Sequence, residues 1–196
     1  ARDLAEVLAP LPSINCSTTN VTSDNAREFA DKRSMIANNY VYTSRLQTQM
    51  YPGSDQYFSY GFLPIHVEAD WDSNLPRIRV EDPTGVYYER DRFGRLVAYA
   101  KRYNKSLGEL VNEFPEFDRA ILGQYGYDQN LNQDVEVIRY MDKESIILYV
   151  PSRKDLVLSH AKNPMGKMTV VVAERPSIDG KPRGQFDDVI FVQLAR

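Results

Sequence analysis

Cysteine and histidine are nearly missing from this chain. Its 196 residues hold one cysteine, Cys16, and two histidines, His66 and His160. One cysteine excludes an internal disulfide, and three such side chains are too few for a Cys/His zinc framework. The same usage suits a reducing cytoplasm. Long apolar runs are missing too. The longest, Ile146 to Val150 and Thr169 to Ala173, are strand-sized, far below the roughly 18 residues of a membrane span. No basic segment leads into an apolar one near the N-terminus, so neither a signal peptide nor a membrane partner is expected. Nor does one sign of charge dominate. The 24 Lys and Arg face 27 Asp and Glu, a formal net charge of -3, which is not the balance of a polycation that coats nucleic acid. No internal repeat or low-complexity stretch is visible.

What is present suffices for a folded core: 42% of the residues are hydrophobic and 26% charged, unlike a disordered polymer. The 13 tyrosines and 8 phenylalanines suit packed interfaces and cores alike. Ala1 stands where a start methionine is expected, and Val189, Ile190, Phe191, Val192 and Leu194 run to Arg196 with no Gly, Asn or Pro to stop them. The chain therefore reads as a piece of a longer protein, cut within an element.

The pattern divides the chain into an N-terminal segment and linker over 1–22, an α+β domain over 23–185, and a closing stretch over 186–196 whose helical character is implied only by the resemblance given below. A short helix, Asp3 to Leu8, is expected before Pro10 and Pro12, then a polar linker from Ser13 to Thr22. Ser23 or Asp24 can cap a long helix in which Ala26, Phe29, Ala30, Arg33, Ile36, Ala37, Tyr40 and Ser44 recur at helical spacing. It is expected to run to about Met50 and break at Tyr51-Pro52-Gly53. A shorter helix, Asp55 to Tyr60, should end at Gly61 in a left-handed conformation. The period then changes from 3.6 to 2. Leu63, Ile65 and Val67 alternate with Pro64, His66 and Glu68, as in a strand with one apolar face.

Ile78 and Val80 form a second strand. Val86 to Arg90 and Leu96 to Tyr103 flank Asp91-Arg92-Phe93-Gly94, a hairpin loop with Gly at positive φ. Ser106 with Glu109 predicts a capping box on a helix that Pro115 interrupts and Gly123 closes. Four strands follow, Val135 to Tyr140, Ile146 to Val150, Leu156 to Ser159 and Met168 to Ala173, read as one antiparallel meander. Helices first and strands later, without βαβ alternation, make an α+β fold.

Chemistry-bearing residues are few. His66 and His160 lie on strands and in no nucleophile motif, so each reads as a solvated or hydrogen-bonded strand histidine. Cys16 has no basic neighbour that would activate a thiolate. Glu81-Asp82, Asp70 with Asp72, and Asp187-Asp188 could each meet a hard cation. A nuclease-like set would join Glu81 and Asp82 to Glu89 and Lys101. Acidic residues at strand ends are commonplace, and Asp187-Asp188 also suit the first turn of a helix beginning near Phe186. Ile178 to Gln185 is glycine-rich but matches no phosphate-loop spacing and reads as a turn. Arg90, Arg92, Arg95, Lys101, Arg102 and Lys105, interleaved with Tyr99 and Tyr103, could contact nucleic acid or simply protect a sheet edge; the edge reading is favoured. No catalytic residue, cofactor site or metal site is assigned.

Several segments together resemble the portal (head-to-tail connector) protein of tailed bacteriophages, in the version common among phages of actinobacteria. They are the helix Arg27 to Met50 with Tyr60-Gly61-Phe62; Pro76 to Pro83 leading into Tyr87-Tyr88 and Asp91 to Gly94; Asn163-Pro164-Met165-Gly166 before a strand ending Glu174-Arg175-Pro176; and Arg183 to Val189 with Gln193 to Arg196. None is a catalytic motif, and the resemblance lies in their shared order over most of residues 24 to 196. It implies a structural, non-enzymatic subunit of a ring, commonly a dodecamer, at one capsid vertex. Double-stranded DNA passes non-specifically through such a ring. The implied partners are the major capsid protein, the large terminase subunit and a head–tail connector. The implied location is the virion, with the host cytoplasm during assembly. Residues 23–185 look like the wing and Phe186 to Arg196 like the start of the stem helix, although Val189 to Val192 have strand propensity as well. The rest of the stem, the clip, the tunnel loop and the crown have no counterpart here, so channel lining and motor docking fall on no residue of this chain. A metal-dependent nuclease using Glu81, Asp82 and Glu89 is the alternative.

Overall fold

The computed structural model describes residues 13–19, 23–70, 72–117, 121, 131–153, 156–177, 181–184 and 187. The expected Asp3–Leu8 helix and the closing Gly123 lie outside these residues, as does all of the expected helix from Phe186 except Asp187. The fold is α+β, with helices leading and every strand pair antiparallel. Two compact units are formed, one from Ala1–Pro83 with Thr169–Arg196 and one from Thr84–Met168. The stretch 23–185 thus holds parts of both. No helix among the described residues is long and apolar enough to cross a membrane.

In the first unit, α1 (Asp24–Thr43) starts at Ser23, whose hydroxyl accepts the Ala26 N–H. The expected run to Met50 is not observed. The helix stops at Ser44, Arg45 turns left-handed at φ 50°, and α2 (Leu46–Tyr60) then runs straight through Pro52 and Gly53. The sheet beside the junction accounts for the early break. Ser44 Oγ accepts the Ile78 N–H at 2.9 Å, and the Gln49 amide accepts from Val80 N–H at 2.8 Å while donating to Ile78 O at 3.2 Å and Ser44 O at 2.7 Å. Gly53 serves packing rather than a turn, because a Cβ there would lie 2.9 Å from Val80 Cγ1. Gly61 ends α2 at φ 78°, as expected, with its N–H on Tyr57 O.

The buried face of α1 also differs from the expected one. Ala30 alone is buried, whereas Phe29 and Ile36 are exposed. Residues 13–19 lie along the side of the helix that carries Ala30, Ser34 and Asn38: Cys16 N–H donates to Ser34 Oγ at 2.8 Å, and the Asn38 amide pairs with both backbone groups of Ile14.

The central strand β1 (Phe62–Asp70) pairs with β2 (Leu75–Val80) on one side and β8 (Val170–Glu174) on the other. The last strand therefore does not extend the meander; it returns to β1, with Val170 and Val172 buried. The Asn163–Gly166 turn directs that exit. The Asn163 amide is bound to Asp142 O and Lys167 O, and its Oδ1 accepts the Met165 N–H. Alternation along β1 departs from the expected single apolar face. Leu63 is buried, but so are Pro64 and His66, and Val67 is exposed. The face opposite Leu63 is closed at Pro64 and His66, and His66 has a partner there.

In the second unit β3 (Val86–Arg90), β4 (Leu96–Ser106), β5 (Asp134–Met141), β6 (Ser145–Val150) and β7 (Leu156–Lys162) pair in sequence order, a five-stranded antiparallel meander. Between β4 and β5, α3 (Leu107–Glu113) begins with the complete Ser106–Glu109 capping box and gives way to a 3₁₀ turn, Pro115–Phe117. Leu107 and Leu110 bury their side chains fully against Ile121, Val135, Val137, Val150 and Leu158, which form the core of this unit.

Candidate interaction surfaces

The structure divides the nuclease-like set between the units. Glu81 and Asp82 belong to the first, Glu89 and Lys101 to the second. The β1–β2 register pairs His66 with Arg79 and brings Glu81 beside them. His66 is 0% exposed, and its Nε2 lies 2.9 Å from Glu81 Oε2. Arg79 donates to Glu68 Oε1 at 2.8 Å and its guanidinium stands 3.9 Å from Glu81 Oε1. Glu81 is thus a partner of His66 within this sheet, a pairing the sequence reading missed. The signal was the hairpin itself, since antiparallel pairing of β1 and β2 sets the two residues near each other. Lys101 is buried, with its ammonium donating to Thr84 O at 2.7 Å, and Glu89 faces Ala98 across the ladder.

The other carboxylates have structural work. Asp70 Oδ1 accepts from the N–H groups of Asp72 and Ser73, and Oδ2 pairs with Arg77 Nε at 2.6 Å. The Ser73 hydrogen bonds, with the Arg77 charge, hold its pKa below the ordinary aspartate value. Asp187 Oδ2 accepts the Gly184 N–H at 2.8 Å, while Asp188 lies outside the described residues. No group of three or more His, Cys, Asp or Glu among the described residues is arranged to hold a metal. His160 is exposed on β7, and Cys16 is half-buried.

The basic stretch on β3 and β4 is only partly a surface. Tyr99 is buried, Tyr103 packs against the Leu107–Leu158 core cluster, Lys101 is buried, and Lys105 pairs with Glu113. A buried Tyr99 offers no face to a base, so the interleaved aromatic platform is not formed. What remains outward, together with Arg102 further along β4, is the hairpin tip. Asp91 builds it: its N–H donates to Arg95 O, its C=O accepts from Gly94 N–H, and its Oδ1 accepts from the N–H groups of Phe93 and Arg95, both at 2.8 Å. These backbone bonds, helped by the Arg95 and Lys143 charges, hold its pKa below the ordinary value. Gly94 takes φ 77° and its carbonyl accepts from Arg90 at 2.7 Å. Phe93 is 66% exposed, with the Arg92 and Arg95 guanidinium carbons 4.6 and 5.5 Å from its ring centre. Such cation–π contacts restrict two long side chains without removing them from solvent.

The β5–β6 turn shares this end of the sheet, since Met141 stands opposite Tyr99. Asp142 Oδ1 accepts from Ser145 and Glu144 N–H, which lowers its pKa. Burial and the charge of Asp142 together raise that of Tyr140.

Apolar side chains are exposed on both units. On α1 these are Phe29, Met35, Ile36 and Tyr42, the last 83% exposed; on the second unit they include Tyr87, Phe93, Val157 and Met165. No family model matches this chain, and no curated protein is significantly similar to it.

Proposed function

We propose that this chain is a structural subunit of a phage portal ring, contributing wing-region fold to a DNA conduit at the capsid vertex and performing no chemistry itself. The observation that carries the reading is α1. Over its 20 residues it buries only Ala30 and leaves Phe29, Met35, Ile36 and Tyr42 open to solvent. Phe29 with Ile36, and Met35 with Tyr42, fall in two pairs at i,i+7 spacing, apolar surface that contact with other protein would cover. A ring of identical subunits supplies such contact, through head-to-tail interfaces of roughly 2,000 Å² or more when they are obligate. In this reading the partners are further copies of the chain, the major capsid protein, the large terminase subunit, a head–tail connector and double-stranded DNA met without sequence preference. The ring reading is supported over the nuclease alternative by the state of Glu81, whose carboxylate is engaged with His66 and faces Arg79.

Mass photometry of the full-length gene product tests the proposal. Closed rings of one stoichiometry are expected. A monomer at every concentration would sink it. Incubation with DNA and Mg²⁺ or Mn²⁺ tests the alternative: cleavage lost in Glu81→Ala or Asp82→Ala would establish the nuclease instead.

A further inference from the structure

We infer that the Arg92-Phe93-Gly94-Arg95 tip of one copy docks into an acid-lined pocket at the opposite end of the five-stranded sheet of the next copy. The inference rests on the ring reading and names the contact that would close it. The pocket, of about 280 Å³, is lined by Gln133, Asp134, Val135, Glu136 and Ser152. Two residues before its Gln133, Leu131 is exposed, its carbonyl held by the Gly108 N–H at 2.9 Å. The tip and the pocket are matched in kind. One presents an exposed ring between two guanidinium groups; the other presents two carboxylates, with an exposed leucine close by in sequence. An apolar centre with oppositely charged surroundings is the anatomy of a specific interface, and planar guanidinium binds carboxylate in a directed, two-bond geometry.

The two patches cannot meet within one copy. The tip joins β4 at Leu96, whereas Asp134 stands opposite Ser106 at the far end of that strand. The strand has 11 residues, so the two ends are roughly 33 Å apart at about 3.3 Å per residue. Contact between different patches on identical chains is head-to-tail, the kind that generates rings. A second copy is also a better occupant than nucleic acid. The whole chain carries a net charge of -3, which opposes long-range attraction to a polyanion, while the tip's complement is present on the chain itself.

The test uses the full-length chain and two charge reversals, Arg92→Glu with Arg95→Glu at the tip and Asp134→Lys with Glu136→Lys at the pocket. Each alone should raise the concentration at half-assembly by about tenfold or more, because each sets like charges against each other. An equimolar mixture should assemble as the wild type does, since a reversed tip fits a reversed pocket and the alternating ring closes at even stoichiometry. Thermal unfolding of each variant monitors the fold. The neutral variants Arg92→Gln with Arg95→Gln, and Asp134→Asn with Glu136→Gln, should weaken assembly less and in the same direction. Rings that ignore all four variants overturn this inference alone. A mixture that stays dissociated, or a tip reversal that abolishes duplex binding while rings persist, also overturns it. Absence of rings in the wild type overturns both this contact and the ring reading.

Discussion

Gln49 does the work that a neighbouring strand does elsewhere. β2 is an edge strand, and its outward backbone groups would face either water or another chain's strand. The Gln49 amide presents a carbonyl to Val80 N–H and an NH₂ to Ile78 O, and Ser44 Oγ takes the Ile78 N–H. Replacing Gln49 with Leu keeps the volume near constant and strips these partners from a half-buried edge, so a loss of about 1–3 kcal/mol is expected. Urea unfolding measures it; a shift in the midpoint worth less than about 0.5 kcal/mol would mean that water substitutes fully. Nothing in the sequence marks Gln49 for this role, because which strand lies at an edge is a property of topology. His66 was obscured because what covers a strand's face is also a tertiary property. Alternation with Leu63, Ile65 and Val67 assigns it outward, but that face of β1 is closed at Pro64 and His66, and the residue is buried beside Glu81.

Elements fixed by local chemistry were legible. The Ser106–Glu109 box, the Asp91–Gly94 loop and the Gly61 stop each follow from residues within four positions of one another, and each is present. Elements whose reason is tertiary were misread. Pro52-Gly53 looks like a breaker, yet Gly53 is the point where α2 approaches Val80 and Leu63. A second close approach lies between Ser59–Gly61 and Arg183–Gly184. A Cβ on Gly61 would fall inside contact distance of the Arg183 backbone, and one on Gly184 inside that of Ser59 O. Glycine at 184 therefore serves neither a turn nor a phosphate cradle; it lets two backbones cross. Gly184→Ala has no flexible side chain to push aside and must displace the Ser59 peptide. It should cost about 2 kcal/mol or more, seen as a lowered thermal midpoint. An unchanged midpoint would show that the crossing is looser than described.

On the scale of the whole molecule, the α+β class was legible from the order of periodicities, and the distribution of strands between sheets was not. Period and turn residues reveal where strands are, but β8 leaves its sequence neighbours to pair with a strand a hundred residues earlier, and no local signal encodes that choice. The consequence is a chain in which one unit is continuous and the other is not: Thr84–Met168 lies between the two parts of the first unit. The continuous unit contains its own core, Leu107, Leu110, Ile121, Val135, Val137, Val150 and Leu158, and its strands pair only with sequence neighbours in the sheet. A region with a complete core and near-neighbour pairing meets the conditions for folding alone, and its low contact order among sheets favours reaching that fold. Residues 84–168 expressed separately should therefore unfold in urea in a single cooperative transition, with a slope of roughly 1 kcal/mol/M, the low end for small domains. Leu110→Ala within that fragment should cost about 2–5 kcal/mol, since the side chain is fully enclosed. A fragment that keeps far-ultraviolet dichroism but binds hydrophobic dye and melts without a transition would mean that its core is completed only by the rest of the chain.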